Sequence, residues 1–161
     1  MQNNYSTVLS NDKADLESTL SRVANPNKTV IITLLNAAWA ENNSVLDLFL
    51  QSFQVGNGTQ HLLKNLLILA ADAKALNRCR QMHEHCYLLE TEEIDYAAVM
   101  PLMSPNYVKM MWRRVRFFGE VLEMGYNFLF SVSRSIFLNF RILLDLLDLF
   151  FHPPKKKKPT S

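Results

Sequence analysis

Asp72 stands at the carboxyl end of a short apolar run, Leu66 to Ala71, a place that offers its carboxylate two tasks. At the carboxyl end of a strand in an open α/β sheet, a carboxylate can hydrogen-bond a ribose or a base. It can equally cap the helix that follows, and the two tasks do not exclude each other. A second set of chemistry-bearing residues lies further on. Lys109, Arg113, Arg116, Glu120 and Glu123 recur at steps of four and three, so they share one stripe of a helix. Lys109 and Arg113 on that stripe are cations that could reach a diphosphate, although a solvated basic face is the commoner outcome. Arg114 interrupts the apolar series Tyr107, Met110, Phe117 and Val121. A charge on a packed face needs an ion partner or an anion.

Cys79, His83, His85 and Cys86 form a C-x3-H-x-H-C cluster with ligand types that suit zinc. The cluster crosses from a helix into a strand, where alternate side chains point apart. A buried cysteine pair with loop histidines is therefore the better reading. No G-x-G-x-x-G and no Walker A sequence is present, and Gly56-Asn57-Gly58 follows a helix and reads as a turn. Two cysteines by count leave the redox compartment open.

The elements that must carry these residues can be read from periodicity. Residues 1–27 are polar and end in the turn signal Asn25-Pro26-Asn27, with a short helix expected over Asp15 to Val23 after a mobile first dozen residues. Residues 28–35, KTVIITLL, read as a strand buried on both faces. A loop follows over Asn36 to Asn43. Ser44 and Asp47 then make a capping box for a helix whose inner face is Leu46, Phe49, Leu50 and Phe53, ended by Gly56 and Gly58. Leu66 to Ala71 is a second buried strand, followed by a helix with Leu76 and Met82 expected inward. Residues 86–89 form a third strand before an acidic loop. Ser104-Pro105 opens a long helix that Gly125 ends, and Asn127 to Phe130 is a fourth strand. Strands alternating with helices predict an α/β fold with a Rossmann-like parallel sheet and right-handed crossovers. There is no internal repeat.

Composition bounds the rest. The 161 residues allow one modest domain, and 48% hydrophobic with 20% charged residues is a globular balance. The net charge of +2 rests on the lysine run 155–158, so it makes no case for a nucleic-acid partner. No apolar run of signal or anchor length is visible near the start. Sequons for N-glycosylation occur at Asn4, Asn27, Asn42 and Asn57, and they matter only in a chain that enters the secretory lumen.

The segments TVIITLLNAAWAENNSVLDLFLQSF, GNGT, LLILAADAKALNRC, HCYLL and SPNYVKMMWRRVRFFGEVLEMGYNFLF together resemble the plant nucleotide-diphospho-sugar transferase family. The resemblance, from about Leu16 to Phe130, is to the arabinosyl- and xylosyltransferases of glycosyltransferase family 77. It implies a GT-A fold that binds a nucleotide sugar, an Asp-x-Asp motif holding Mn²⁺ or Mg²⁺, and a Golgi membrane location. By the same resemblance Thr33, Asn36 and Asp72 would lie around the nucleotide, with Lys109 and Arg113 on the phosphate side.

The resemblance breaks after the fourth strand. Where family members continue into acidic metal ligands, this chain has Ser131, Val132, Ser133 and Arg134. The expected division is a polar segment 1–27, an incomplete transferase domain 28–131 holding the nucleotide-binding half, and a non-family segment 132–161. That last segment reads as an apolar helix over 132–151 and a lysine-rich tail. Val132-Ser133 is encodable as a splice donor, so the segment reads as translated non-coding sequence or as a genuine divergent C-terminus. The expectation is a glycosyltransferase chain, pentosyl by resemblance, that lacks its metal site and acceptor half. No cofactor is then expected, nucleotide-sugar binding is weak or absent, and no sugar is transferred. The alternative is a non-enzymatic protein acting on a membrane or a partner through the 132–151 helix.

Overall fold

A computed structural model describes residues 3–89, 101 and 103–131. The acidic loop after the third strand, the 132–151 helix and the lysine run lie outside the described residues. In chain order the elements are α1 (Asn3–Val23), β1 (Thr29–Leu35), α2 (Val45–Val55), β2 (Leu66–Ala70), α3 (Ala73–Met82), β3 (Cys86–Leu88), α4 (Pro105–Glu123) and β4 (Asn127–Phe130). The four strands form one sheet in the order β3-β2-β1-β4, and every pairing is parallel. This is the expected α/β architecture with a Rossmann-like sheet.

Helices cover both faces, and the two-residue period of the strands divides the core between them. On one face Ile31 and Leu35 of β1 and Leu66, Ile68 and Ala70 of β2 meet Leu46, Phe49, Leu50 and Phe53 of α2 and Ala75, Leu76 and Cys79 of α3. On the other face Val30, Ile32, Leu67 and Leu69 meet Leu16, Leu20 and Val23 of α1 and Phe117 and Val121 of α4. The chain steps from β1 to β2 to β3 in one direction and then returns to place β4 on the far side of β1. That reversal moves the crossover helix to the opposite face, as right-handed connections require.

Local signals set most of the boundaries. The Ser104 side chain accepts a hydrogen bond from the Tyr107 N–H, with Pro105 in the first turn of α4. Gly125, at φ 78°, turns the chain from α4 into β4. The Asp47 carboxylate accepts from the Ser44 N–H at 3.4 Å, while the Ser44 hydroxyl donates to the Trp39 carbonyl at 2.6 Å. Two expectations change. The first helix starts at Asn3 rather than near Asp15. Met82 is 42% exposed, and the inner face of α3 is Ala75, Leu76 and Cys79. Met82 lies seven residues past Ala75, at nearly the same angle around the helix, but it is the last residue of α3 and is left exposed there.

Candidate functional site

The sheet has its topological switch point between β1 and β4, where consecutive crossovers leave in opposite directions. In open α/β sheets ligands bind outside the carboxyl ends of the strands at such a point. Ile31 pairs with Leu129 and Ile32 with Phe130, so the next residues across the pair are Thr33 and Ser131. The Ser131 N–H donates to the Ile32 carbonyl at 2.8 Å, which holds the two strands together up to this position. Thr33 is 2% exposed and Ser131 3%. Among the described residues neither hydroxyl has a hydrogen-bond partner. A buried hydroxyl left unpaired costs about 1–3 kcal/mol, so two side by side at a switch point call for an explanation.

Asn36 and Asp72 shape the rim beside this pair. The Asn36 Oδ1 accepts from the Trp39 N–H at 3.2 Å and caps the short 3-10 helix Ala37–Trp39 that follows β1. Asp72 Oδ1 accepts from the Ala75 N–H at 2.8 Å, capping α3, and Oδ2 accepts from the Ala37 N–H at 2.8 Å. Of its two readings the helix cap is the one formed here. The carboxylate also ties the end of β1 to the end of β2. Behind that rim Arg78 reaches Asp47 at 2.9 Å, joining α3 to α2. A cleft of about 550 Å³ opens there, lined by Glu41, Asn42, Lys74 and Arg78.

The four cations of α4 separate. Because α4 runs back against the strands, its first turns lie toward their carboxyl ends. Lys109 is exposed there. The Arg113 Nη1 lies 3.4 Å from Glu120 Oε1, two turns toward the other end of the helix, and Arg116 joins the same carboxylate at 3.6 Å. Arg113 thus has a carboxylate partner on its own helix. Arg114 instead lies over the Phe130 ring, 4.8 Å from its centroid, and Phe130 is the residue before Ser131. Burial holds its guanidinium below the usual arginine range, offset in part by the Tyr107 hydroxyl. Its Nε has no hydrogen-bond partner among the described residues. Among the described residues, the charge on a packed face that the spacing singled out is thus met by an aromatic ring and not by an ion pair.

A divalent cation on a nucleotide diphosphate needs several hard oxygen ligands. Among the described residues no three His, Cys, Asp or Glu side chains are grouped so as to hold a metal. At the end of β4 the side chain offered is the Ser131 hydroxyl, and both Asp72 oxygens are bonded to backbone. The described residues do not fit the metal that the family resemblance implies. The cysteine and histidine cluster resolves into a Cys79–Cys86 disulfide, with His83 Nε2 at 2.8 Å from the Leu66 carbonyl oxygen. A second pocket, of about 660 Å³, is lined by Arg22, His61, Lys64 and His85 and lies at the opposite, amino ends of the strands.

Thr33 lies on β1 beside Ser131, Asn36 and Asp72 lie beyond the carboxyl ends of β1 and β2, and Arg114 lies over Phe130 on the opposite face of the sheet, the one that α4 covers. No described helix is long and apolar enough to cross a membrane.

Part of the chain is similar to known proteins. Residues 61–133 match the family model described as nucleotide-diphospho-sugar transferase, a span that runs from before β2 to just beyond β4. An Arabidopsis thaliana protein named uncharacterized protein At4g15970 is 48% identical over 122 residues, covering 75% of this chain and 33% of its own length. A second Arabidopsis thaliana protein, uncharacterized protein At1g28695, is 43% identical over 130 residues, covering 77% of this chain and 40% of its own. The chain thus spans between a third and two-fifths of the relatives it matches. No solved structure matches it.

Proposed function

We propose that this chain is the nucleotide-binding part of a nucleotide-diphospho-sugar transferase, holding its nucleotide across the switch point between β1 and β4. The observation that carries this reading is the pair of buried hydroxyls of Thr33 and Ser131, without partners among the described residues, toward the strand ends where such a sheet takes a ligand. Family similarity over residues 61–133 supports it.

In this reading the two hydroxyls, each a donor and an acceptor, satisfy a polar edge of the nucleotide. The Asn36 amide N–H groups lie on the same rim, and Asp72 holds that rim in place through Ala37. Arg114 and Lys109 supply the charge that a diphosphate needs. Arg113 is assigned no contact. A pentose donor, a cell-wall polysaccharide or glycoprotein acceptor and a Golgi location follow only from the resemblance to family 77 and stand as proposals.

Binding without transfer is the expected activity of this polypeptide. The described residues at the end of β4 offer no carboxylate to hold the divalent cation that would stabilise the diphosphate leaving group. Incubating the purified chain with radiolabelled nucleotide pentoses, Mn²⁺ and cell-wall acceptors tests this. The expected result is nucleotide binding with no labelled product. Metal-dependent transfer would contradict it.

A further inference from the structure

Cys79, in the last turns of α3, and Cys86, the first residue of β3, are joined by a disulfide with their Cα atoms 6.1 Å apart. That separation lies within the range a disulfide spans without moving the backbone. Cys79 is fully buried in the core face formed with Leu66, Ile68 and Leu76, and Cys86 packs against the same cluster. The chain has two cysteines, so the bond uses all of them. Chains kept in the reducing cytosol rarely hold structural disulfides, whereas those of oxidising compartments commonly do.

The turns provide an independent observation. Asn27-Lys28-Thr29, Asn42-Asn43-Ser44 and Asn57-Gly58-Thr59 are the three sequons whose side chains are described, and all three asparagines are exposed. In each, the middle residue adopts a left-handed conformation: Lys28 at φ 54°, Asn43 at φ 57° and Gly58 at φ 75°. Two of these are not glycine, and a positive φ is uncommon for lysine. The shared geometry turns the chain sharply and presents the asparagine outward. In the first and third the hydroxyl residue folds inward, Thr29 at 5% and Thr59 at 3% exposure. The turns precede β1, precede α2 and follow α2.

We propose that this protein folds in an oxidising secretory lumen, where Cys79 and Cys86 close a structural disulfide and Asn27, Asn42 and Asn57 are acceptor sites for N-linked glycans. Closure oxidises two thiols to one disulfide, with the two electrons and two protons passing to the compartment's disulfide-donating oxidant. The proposal does not depend on the nucleotide site.

The test uses the protein isolated from its own cells. Thiols are alkylated under denaturing conditions before reduction and again, with a heavier reagent, after it. Peptide N-glycosidase treatment in heavy-oxygen water then marks each formerly glycosylated asparagine as labelled aspartate. The expected result is Cys79 and Cys86 carrying only the second reagent, with label at one or more of Asn27, Asn42 and Asn57. Free thiols before reduction, or three unlabelled asparagines, would overturn the proposal.

Discussion

Thr33 on β1 and Ser131 just beyond β4 lie side by side on adjacent parallel strands, both buried and both with hydroxyls that have no partner among the described residues. Beside the apolar side chains of β1 and β2, such hydroxyls lower the stability of the fold. Thr33→Val, which removes the hydroxyl and keeps the branched shape, should therefore stabilise the protein by about 1 kcal/mol. Urea denaturation should show a higher midpoint with an unchanged slope, while nucleotide binding weakens. A destabilised variant would mean that the hydroxyl has a partner in the folded chain.

Asp72 should behave in the opposite way. Its two oxygens accept from the N–H groups of Ala37 and Ala75, and Asp72→Ala would strip both at once. The expected loss is about 3 kcal/mol, more than a simple helix cap, because a charged acceptor is lost at the junction of β1 and β2. Asp72→Asn keeps an acceptor and should lose less. Denaturation midpoints of the two variants check the order.

The disulfide closes a small loop between α3 and β3. Replacing both cysteines by serine should lower stability by about 2–3 kcal/mol, the range for a short loop in the chain-entropy account. The same shift should appear on adding reductant to the native chain, and none should appear when reductant is added to the double variant.

His83 gives the fold a pH dependence. Burial pushes its imidazole below the usual histidine value, while the bond to the Leu66 carbonyl partly offsets this. The unfolded chain therefore binds a proton more readily than the folded one. Its contribution is fully present above the unfolded value, near pH 6.5, and is lost as pH falls from there toward the folded value. Thermal midpoints measured from pH 8 down to pH 5 should fall, and His83→Gln should flatten that decline. An unchanged slope in the variant would assign it to other groups.

Sequence reading reached the elements whose signals are local. The runs TVIITLL and LLILA are continuous, apolar and rich in branched side chains, and both are central strands. The cap at Ser104 and the turn at Gly125 follow from the chemistry of single residues. The strand order was beyond such reading, because which side of β1 receives β4 depends on contacts about 100 residues apart in sequence. Ser131 illustrates the consequence: by sequence it stood as a substitute for a missing metal ligand, and only its pairing opposite Thr33 gives it a place of its own. Arg113 and Arg114 could not be ranked from spacing alone, since Glu120 and Phe130 decide between them. The start of α1 was missed because its opening stretch, NNYSTVLSND, is dominated by polar residues. Among its described side chains, Leu16, Leu20 and Val23 face the core.

The central claim is that a nucleotide seats at the edge marked by Thr33 and Ser131. Titrating the ¹⁵N-labelled chain with uridine diphosphate, alongside Thr33→Val, Arg114→Gln and Arg113→Gln variants, tests it most directly. The account predicts amide shifts concentrated at Thr33, Asn36 and Ser131, weakened severalfold by Thr33→Val and Arg114→Gln and unaffected by Arg113→Gln. Shifts gathered instead around His61, Lys64 and His85 at the opposite ends of the strands, or no shifts at all, would contradict it.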